Sequence, residues 1–510
     1  MASLPDYVAS ARPVPQDQRA AWYKTTAQTY AGIMLWFAFW QSIPAGDGSP
    51  GGVLGAGIGP ALIGIVLAGL ACHFLFYLVP ALLGMQTGLP LYVVGTSTYG
   101  VQGGLYMPGF LMGVLQFGWL AFNCYFVSEM LCRAFAIGMA DATDVAVPGA
   151  IHGAIAAVWA VSAAFVGLKG IQYVARVASF LPLICLILLI AMFFATAGGL
   201  GADATQKVID ASKAAAAAPA EDAEADEKAD DDTAVAEELP APEPEAEKAE
   251  KKEPLGGVAV ILLLVAAITG FFATAGAAGT DIASNNRNAG DVQLGGLTGI
   301  ALATILSCGL AVLVIAGAYG KDMVSAANQG EMNPVALIGD VLGEGNVKWI
   351  TILLAVSSFP PACFSAFIAA NSFRTTLPKV NPFISVGIGT AVSIVLAVTG
   401  VIADVLGFFG FIAATFGPVC GAMAADYLLA GRKWPGPRAG LNVAGWVSWV
   451  AGAVVGLADA LHIPGLEGNV PCPPLAALVV GFVLYFLLAK AGMEGRKLEM
   501  PSMGDTAESA

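Results

Sequence analysis

The sequence is poor in charge. Only 12% of its 510 residues are Asp, Glu, Lys or Arg, against 57% hydrophobic, and a soluble domain carries roughly twice that charged share. Residues that hold metals are scarce too. Three histidines (His73, His152, His462) stand far apart, and the eight cysteines form no C-x-x-C pair. These absences argue against a zinc or thiol redox site and leave the cysteines as small packing residues. No G-x-x-x-x-G-K-[ST] run occurs, so no ATPase is indicated. Neither an enzyme, an organic cofactor nor a nucleic-acid partner is expected.

Even the net charge of −14 is mostly local. Between Ala202 and Pro254 stand 17 acidic residues and six lysines, a net of −11, which leaves −3 for the remainder. That insert contains no aromatic residue and cannot bury a core, so disorder is expected over residues 199–255.

What the chain has in abundance is long apolar runs. A bilayer crossing needs about 20 apolar residues, and twelve such runs lie near 27–43, 57–82, 108–132, 150–167, 176–198, 256–280, 294–318, 347–370, 383–402, 405–429, 441–461 and 474–490. The N-terminus is polar (Asp6, Arg12, Gln16, Asp17, Arg19) and shows no cleavable signal. With it placed inside, inner loops carry fourteen Lys and Arg; outer loops, the insert apart, carry only Arg133, Lys321 and Lys348. This positive-inside bias puts both termini in the cytoplasm.

Two runs are interrupted. The first is followed by Pro44, Gly46, Gly48 and Pro50, and the sixth runs into Gly276 and Gly279 before the carboxylate of Asp281. Breaks at corresponding places in two halves are the sequence mark of an inverted-repeat transporter, with the solute at the breaks. In span three, Gln116 and Trp119 share a helix face, joined by Asn123 seven residues after Gln116. An indole that stacks and an amide that bonds an edge suit a flat heterocycle. Span eight carries Pro360-Pro361 at its centre, which must kink it. Glu129 near the outer end of span three reads as an interfacial carboxylate, with proton coupling as the competing role. Asp426, closing span ten beside Tyr427, reads as a structural or gating carboxylate.

Four segments in order, QFGW (Gln116 to Trp119), LLGMQTGLPLYVVGTSTYGV, FFATAGAAGTDIASNNRNA and GPVCGAMAADYLLAGRKW, resemble the nucleobase:cation symporter family, most closely its cytosine-permease branch. The resemblance covers nearly all of the chain except the insert. It implies an all-α, leucine-transporter-type membrane fold: two inverted five-helix repeats with discontinuous helices 1 and 6, plus two peripheral helices. It also implies a planar base bound by Trp119 and Gln116, with Phe272 and Thr274 before the glycine break at Gly276. Gln41, with Trp36 or Phe39, is a looser candidate. One departure concerns span eight, where the family's hydroxyls and asparagine give way to FPPACF, ending at Phe364, itself counted among the substrate candidates. Ser357 and Ser358 precede that run, so sodium and proton coupling both stay open, the proton through Asp281 or Glu129.

The domain division that follows is a cytoplasmic segment (1–26), a first repeat (27–198), the insert (199–255), a second repeat (256–430), two peripheral helices (431–490) and a cytoplasmic tail (491–510). The expected function is cation-coupled import of a nucleobase such as cytosine or a purine, or a related planar nitrogenous compound, across the plasma (inner) membrane. A carrier of an amino acid or amine on the same fold, or a receptor or scaffold using the insert, are the alternatives. Expected partners are the solute, the coupling cation and the bilayer. A monomer is compatible with all of this.

Overall fold

Backbone amides in hydrocarbon have no water to bond, so an apolar run must close its hydrogen bonds on itself. The computed structural model describes residues 4–25, 36, 40, 43, 49–137, 149–170, 173–174, 178, 181–217, 252–325 and 334–500. Among them the regular elements are helices, and two isolated bridges, Ala20 with Asn286 and Arg438 with Lys497, are the β-type contacts. Nine helices among the described residues are long and apolar enough to cross a membrane: Ile58–Thr87, Leu105–Ala134, Ala150–Leu168, Leu181–Gly199, Gly257–Ala283, Ala289–Gly320, Glu344–Thr376, Gly407–Leu429 and Pro473–Lys490. The shorter helices Pro382–Val398 and Val443–Gly456 stand where spans nine and eleven are expected. These eleven match spans two to twelve. Span one falls outside the described residues, as do Gln41 and Phe39, apart from Trp36, Trp40 and Ile43, which are fully buried.

Span six corrects the sequence reading. It runs as one unbroken helix from Gly257 to Ala283, through both glycines. They serve close approach instead. A Cβ on Gly276 would meet the Phe76 Cβ at 2.7 Å, and one on Gly279 would meet the Tyr77 ring at 2.7 Å. From the other side, Gly84 of span two lies against the Thr280 carbonyl. Small residues in a membrane helix let backbones touch, and here that use prevails over helix breaking.

The insert needs a second correction. Its first part, Ala204–Ala217, is helical. Alanine is the best helix former, and Ala204, Val208, Ile209 and Ser212 are buried on one side. Lys207 pins this helix to the mouth of span seven, donating to the Gly320 carbonyl at 3.0 Å and to Asp322 at 2.8 Å. Residues 218–251 lie outside the described set.

Span eight is interrupted at one residue, just before its prolines. Helices Glu344–Ser357 and Phe359–Thr376 meet at Ser358, with prolines in the first turn of the second. Pro360 and Pro361 carry no N–H, so neither can donate the helical hydrogen bond to the residue four positions before it.

The N-terminal segment forms a strap across one end of the bundle. Val14 N–H donates to Gly88 O at 2.9 Å, Ala20 N–H to Asn285 O at 2.7 Å and Trp22 N–H to Asp291 Oδ1 at 3.1 Å. The buried Arg19 donates to Met85 O at 2.6 Å and Val14 O at 3.1 Å. Its guanidinium therefore satisfies a carbonyl in the last turn of span two, which no intrahelical amide can reach.

Candidate functional site

A cavity of about 110 Å³ opens between spans three, six and eight, lined on its span-three side by Gln116, Trp119, Phe122 and Asn123. Phe271, Phe272, Thr274 and Ala275 of span six face them, and Pro361, Phe364 and Ser365 of span eight complete the wall. Six sequence candidates (Gln116, Trp119, Asn123, Phe272, Thr274, Phe364) thus meet at one place. Spacing explains the span-three part: Gln116, Trp119 and Asn123 stand three and four residues apart and share a helix face.

The polar groups in this cavity are few and unequal. Trp119 Nε1 donates to Thr274 Oγ1 at 2.9 Å, tying span three to span six. The Thr274 hydroxyl accepts that bond and keeps its own proton free to donate. Gln116 is buried, and its amide reaches only the Met112 sulfur, at 3.4 Å, among the described residues. Sulfur is a weak acceptor, so most of the amide's bonding capacity faces the cavity. Asn123 is engaged at both ends: its Nδ2 donates to Ser358 O at 3.0 Å and its Oδ1 accepts from Trp159 Nε1 at 2.9 Å. Aromatic rings crowd Trp119, with Phe271 and Phe408 edge-on at 5.0 Å between centroids.

A second, larger cavity of about 200 Å³ shares Ile282, Phe364 and Ile368 with the first. Asp281, Tyr92, Asn285, Asn371 and Arg12 are among its lining residues. Asp281 accepts one backbone hydrogen bond, from Leu91 N–H at 3.2 Å. The strap contributes Arg12 and Val14 to this wall.

The remaining candidates sit elsewhere. Trp36 packs against Trp40 with ring centroids 4.9 Å apart and planes tilted by 59°, and Gly276 packs on Phe76, both outside the cavity lining. Ser357 and Ser358 stand at the interruption of span eight, their hydroxyls bonded to Leu354 O and Ala355 O at 2.7 and 2.8 Å. Glu129 pairs with Arg133 at 3.0 Å one turn on. Asp426 lies in a buried knot: Ser97 and Thr98 hydroxyls donate to its Oδ2 at 2.7 and 3.2 Å, and Arg438 donates to Oδ1 at 2.9 Å. Arg438 also reaches Glu494 at 2.6 Å and the Ser97 carbonyl. Burial alone would lower the Arg438 pKa; facing carboxylates, Asp426 first, more than offset it and raise it.

Sequence reasoning missed Ser365, Phe122 and Phe271. Ser365 is a buried hydroxyl in span eight with no hydrogen bond among the described residues. Its position four after Pro361 was a usable signal, since both then face one way. Phe122 likewise follows Trp119 by three.

Helices of this number and apolarity make the chain a multi-pass membrane protein, and its fold is of the leucine-transporter type. No protein-family model and no curated protein matches the sequence. Solved structures do. Mhp1, a nucleobase-cation-symport-1 family transporter, in a closed conformation with bromovinylhydantoin bound, superposes with a TM-score of 0.62 at 15% identity, covering 95% of each chain. An inward-facing conformation of Mhp1 gives 0.58 at 14%, with 94% of each chain covered. A Na+-coupled sialic acid symporter in a substrate-bound outward-open state gives 0.52 at 12%, covering 97% of this chain and 93% of the other.

Proposed function

We propose that this protein is a cation-coupled secondary transporter of a small, neutral, planar nitrogenous solute, a nucleobase or a ring of similar outline. The observation that carries this reading is the chemistry of the cavity at Trp119. Every described residue lining it is uncharged, five of them carry aromatic rings, and Gln116, Thr274 and Ser365 supply the polar edge. A buried charge costs several kcal/mol unless paired, so an uncharged aromatic slot selects a neutral ring over a free amino acid or amine. An amide and two hydroxyls supply both donors and acceptors, as the edge of a nucleobase or hydantoin requires. The bound bromovinylhydantoin of the structurally similar Mhp1 is a ring of this kind.

In this reading Trp119 and Phe272 hold the ring, Gln116 and Thr274 bond its edge, and the solute leaves through the larger cavity past Phe364 and Ile368. Both termini lie on the cytoplasmic side, toward which the Asp281 cavity opens. Alternating access then consists of helix bundles rocking about the midplane site. A thermal-shift screen of purified protein against bases, hydantoins, vitamins and amines, with and without sodium, tests the solute class. A ligand at 100 times its Kd stabilises by about 2.7 kcal/mol. Stabilisation by amines or amino acids alone would overturn the reading. Proteoliposome uptake with sodium replaced by choline separates sodium from proton coupling, because unchanged uptake removes sodium.

A further inference from the structure

Asn123 lines the cavity, yet each end of its amide already holds a bond to protein. Its Nδ2 donates to Ser358 O and its Oδ1 accepts from Trp159 Nε1. Only one orientation of the amide serves both partners, since an indole N–H can only donate and a carbonyl can only accept. Ser358 is the residue at which the two helices of span eight meet. Trp159 itself, on span four, sets its ring edge-on against Phe359, the first residue beyond the interruption, at 5.1 Å. One side chain of span three therefore holds span four and the span-eight interruption together, beside Pro361, Phe364 and Ser365 on the cavity wall.

We infer that Asn123 is a positioning residue that fixes the hinge of span eight, not a ligand of the solute. A backbone relieved of two helical hydrogen bonds by adjacent prolines is the compliant point of a long helix. Holding it through a single amide gives a hinge with a defined rest angle. A shift at Ser358 moves Phe364 and Ser365, so the angle sets when the solute wall is complete. This rests on the transporter reading above for its effect on transport, but not for the hinge itself.

The test uses full-length protein and the variants N123A, N123D, W159F and Q116A. Asp at 123 keeps the acceptor for Trp159 and loses the donor to Ser358; Phe at 159 keeps a ring against Phe359 and removes the donor to Asn123. Trp159 does not line the cavity, so an effect of W159F on transport passes through the hinge. Expected are a fall of about tenfold or more in maximal uptake rate for N123A and N123D and a smaller fall for W159F. Solute Kd, read by thermal shift, stays within about threefold for these three, while Q116A raises it about tenfold, the size of one hydrogen bond at the upper end. Hydrogen exchange at the amides of Ala362 to Ser365 is read in parallel, without solute, and should quicken in N123A and W159F. If N123A raises Kd as Q116A does while W159F is silent in uptake and exchange, Asn123 is a solute ligand and the inference falls. If the wild type binds and carries none of the panel, the transporter reading fails, and the exchange data alone decide the hinge: faster exchange upholds it and unchanged exchange overturns it.

Discussion

Two carboxylates hold opposite ends of the same short stretch, Leu91 to Tyr99. Asp426 grips its far end through the Ser97 and Thr98 hydroxyls, and its own charge is met by Arg438. Asp281 grips the near end through one backbone amide, that of Leu91, and faces the larger cavity. Asn442 and Tyr485 extend the first site: Asn442 Nδ2 donates to Thr98 O at 2.8 Å, and the Tyr485 hydroxyl donates to Glu494 Oε1 at 3.1 Å. A carboxylate enclosed by matched partners builds structure. One with a single partner among the described residues, and a cavity beside it, has less to hold it in place. Of the two, Asp281 is the one that lines a cavity.

The largest effect expected from breaking this contrast is at Arg438. Arg438→Met leaves Asp426 buried without its cation, and loss of one member of a buried pair costs about 3–5 kcal/mol; the melting temperature in detergent should collapse, together with yield. Next is Trp119→Ala, which removes the largest ring of the cavity and the bond to Thr274. Solute Kd should rise by a factor of about 30, which corresponds to about 2 kcal/mol, and the melting temperature of the empty protein should fall as well, because the rings packed on Trp119 lose their partner. Asp281→Asn keeps an acceptor for Leu91, so stability should move by less than about 1 kcal/mol. Uptake across pH then reads its role: a sloped wild-type profile that flattens in the variant assigns proton coupling to Asp281, and equal profiles remove it. Glu129→Gln opens a single i,i+4 pair near a helix end and should cost about 0.5 kcal/mol or less, seen as a melt shift of a degree or so.

The smallest effect is at His462, an exposed ring 2.8 Å from Glu467. The hydrogen bond to that carboxylate, and then its charge, raise the histidine pKa above its ordinary value. A raised folded-state pKa gives stability that is fully present below the unfolded value, about 6.5, and is lost as pH rises through the folded value. The melting difference between wild type and Glu467→Gln should therefore shrink from pH 6 to pH 8.

Much of this architecture was legible because hydrocarbon imposes it. Eleven spans could be read from apolar length alone, and Gln116, Trp119 and Asn123 from helical spacing. Gly276 and Gly279 were misread because glycine has two uses in a membrane helix, breaking it or letting a neighbour in, and one sequence does not say which. Choosing required seeing Phe76 and Tyr77. Ala204–Ala217 was hidden by the acidic composition that follows it, though its own residues favour a helix. The strap was not visible at all, since its bonds to Gly88 and Asn285 use backbone groups that leave no trace in side-chain pattern. Asn123 stands on the cavity wall, where its spacing places it, while its bonds to Ser358 and Trp159 were not visible in the sequence.

The glycine contacts between spans two and six have one more result. Gly84, Gly276 and Gly279 bring backbone onto backbone or ring, leaving no layer of flexible side chains between the two helices. Such a seam has little play, so the pair should travel as a single body. Spectroscopic labels placed one on each helix should then keep a constant separation in every state, an internal ruler against which the displacement of any other helix can be measured.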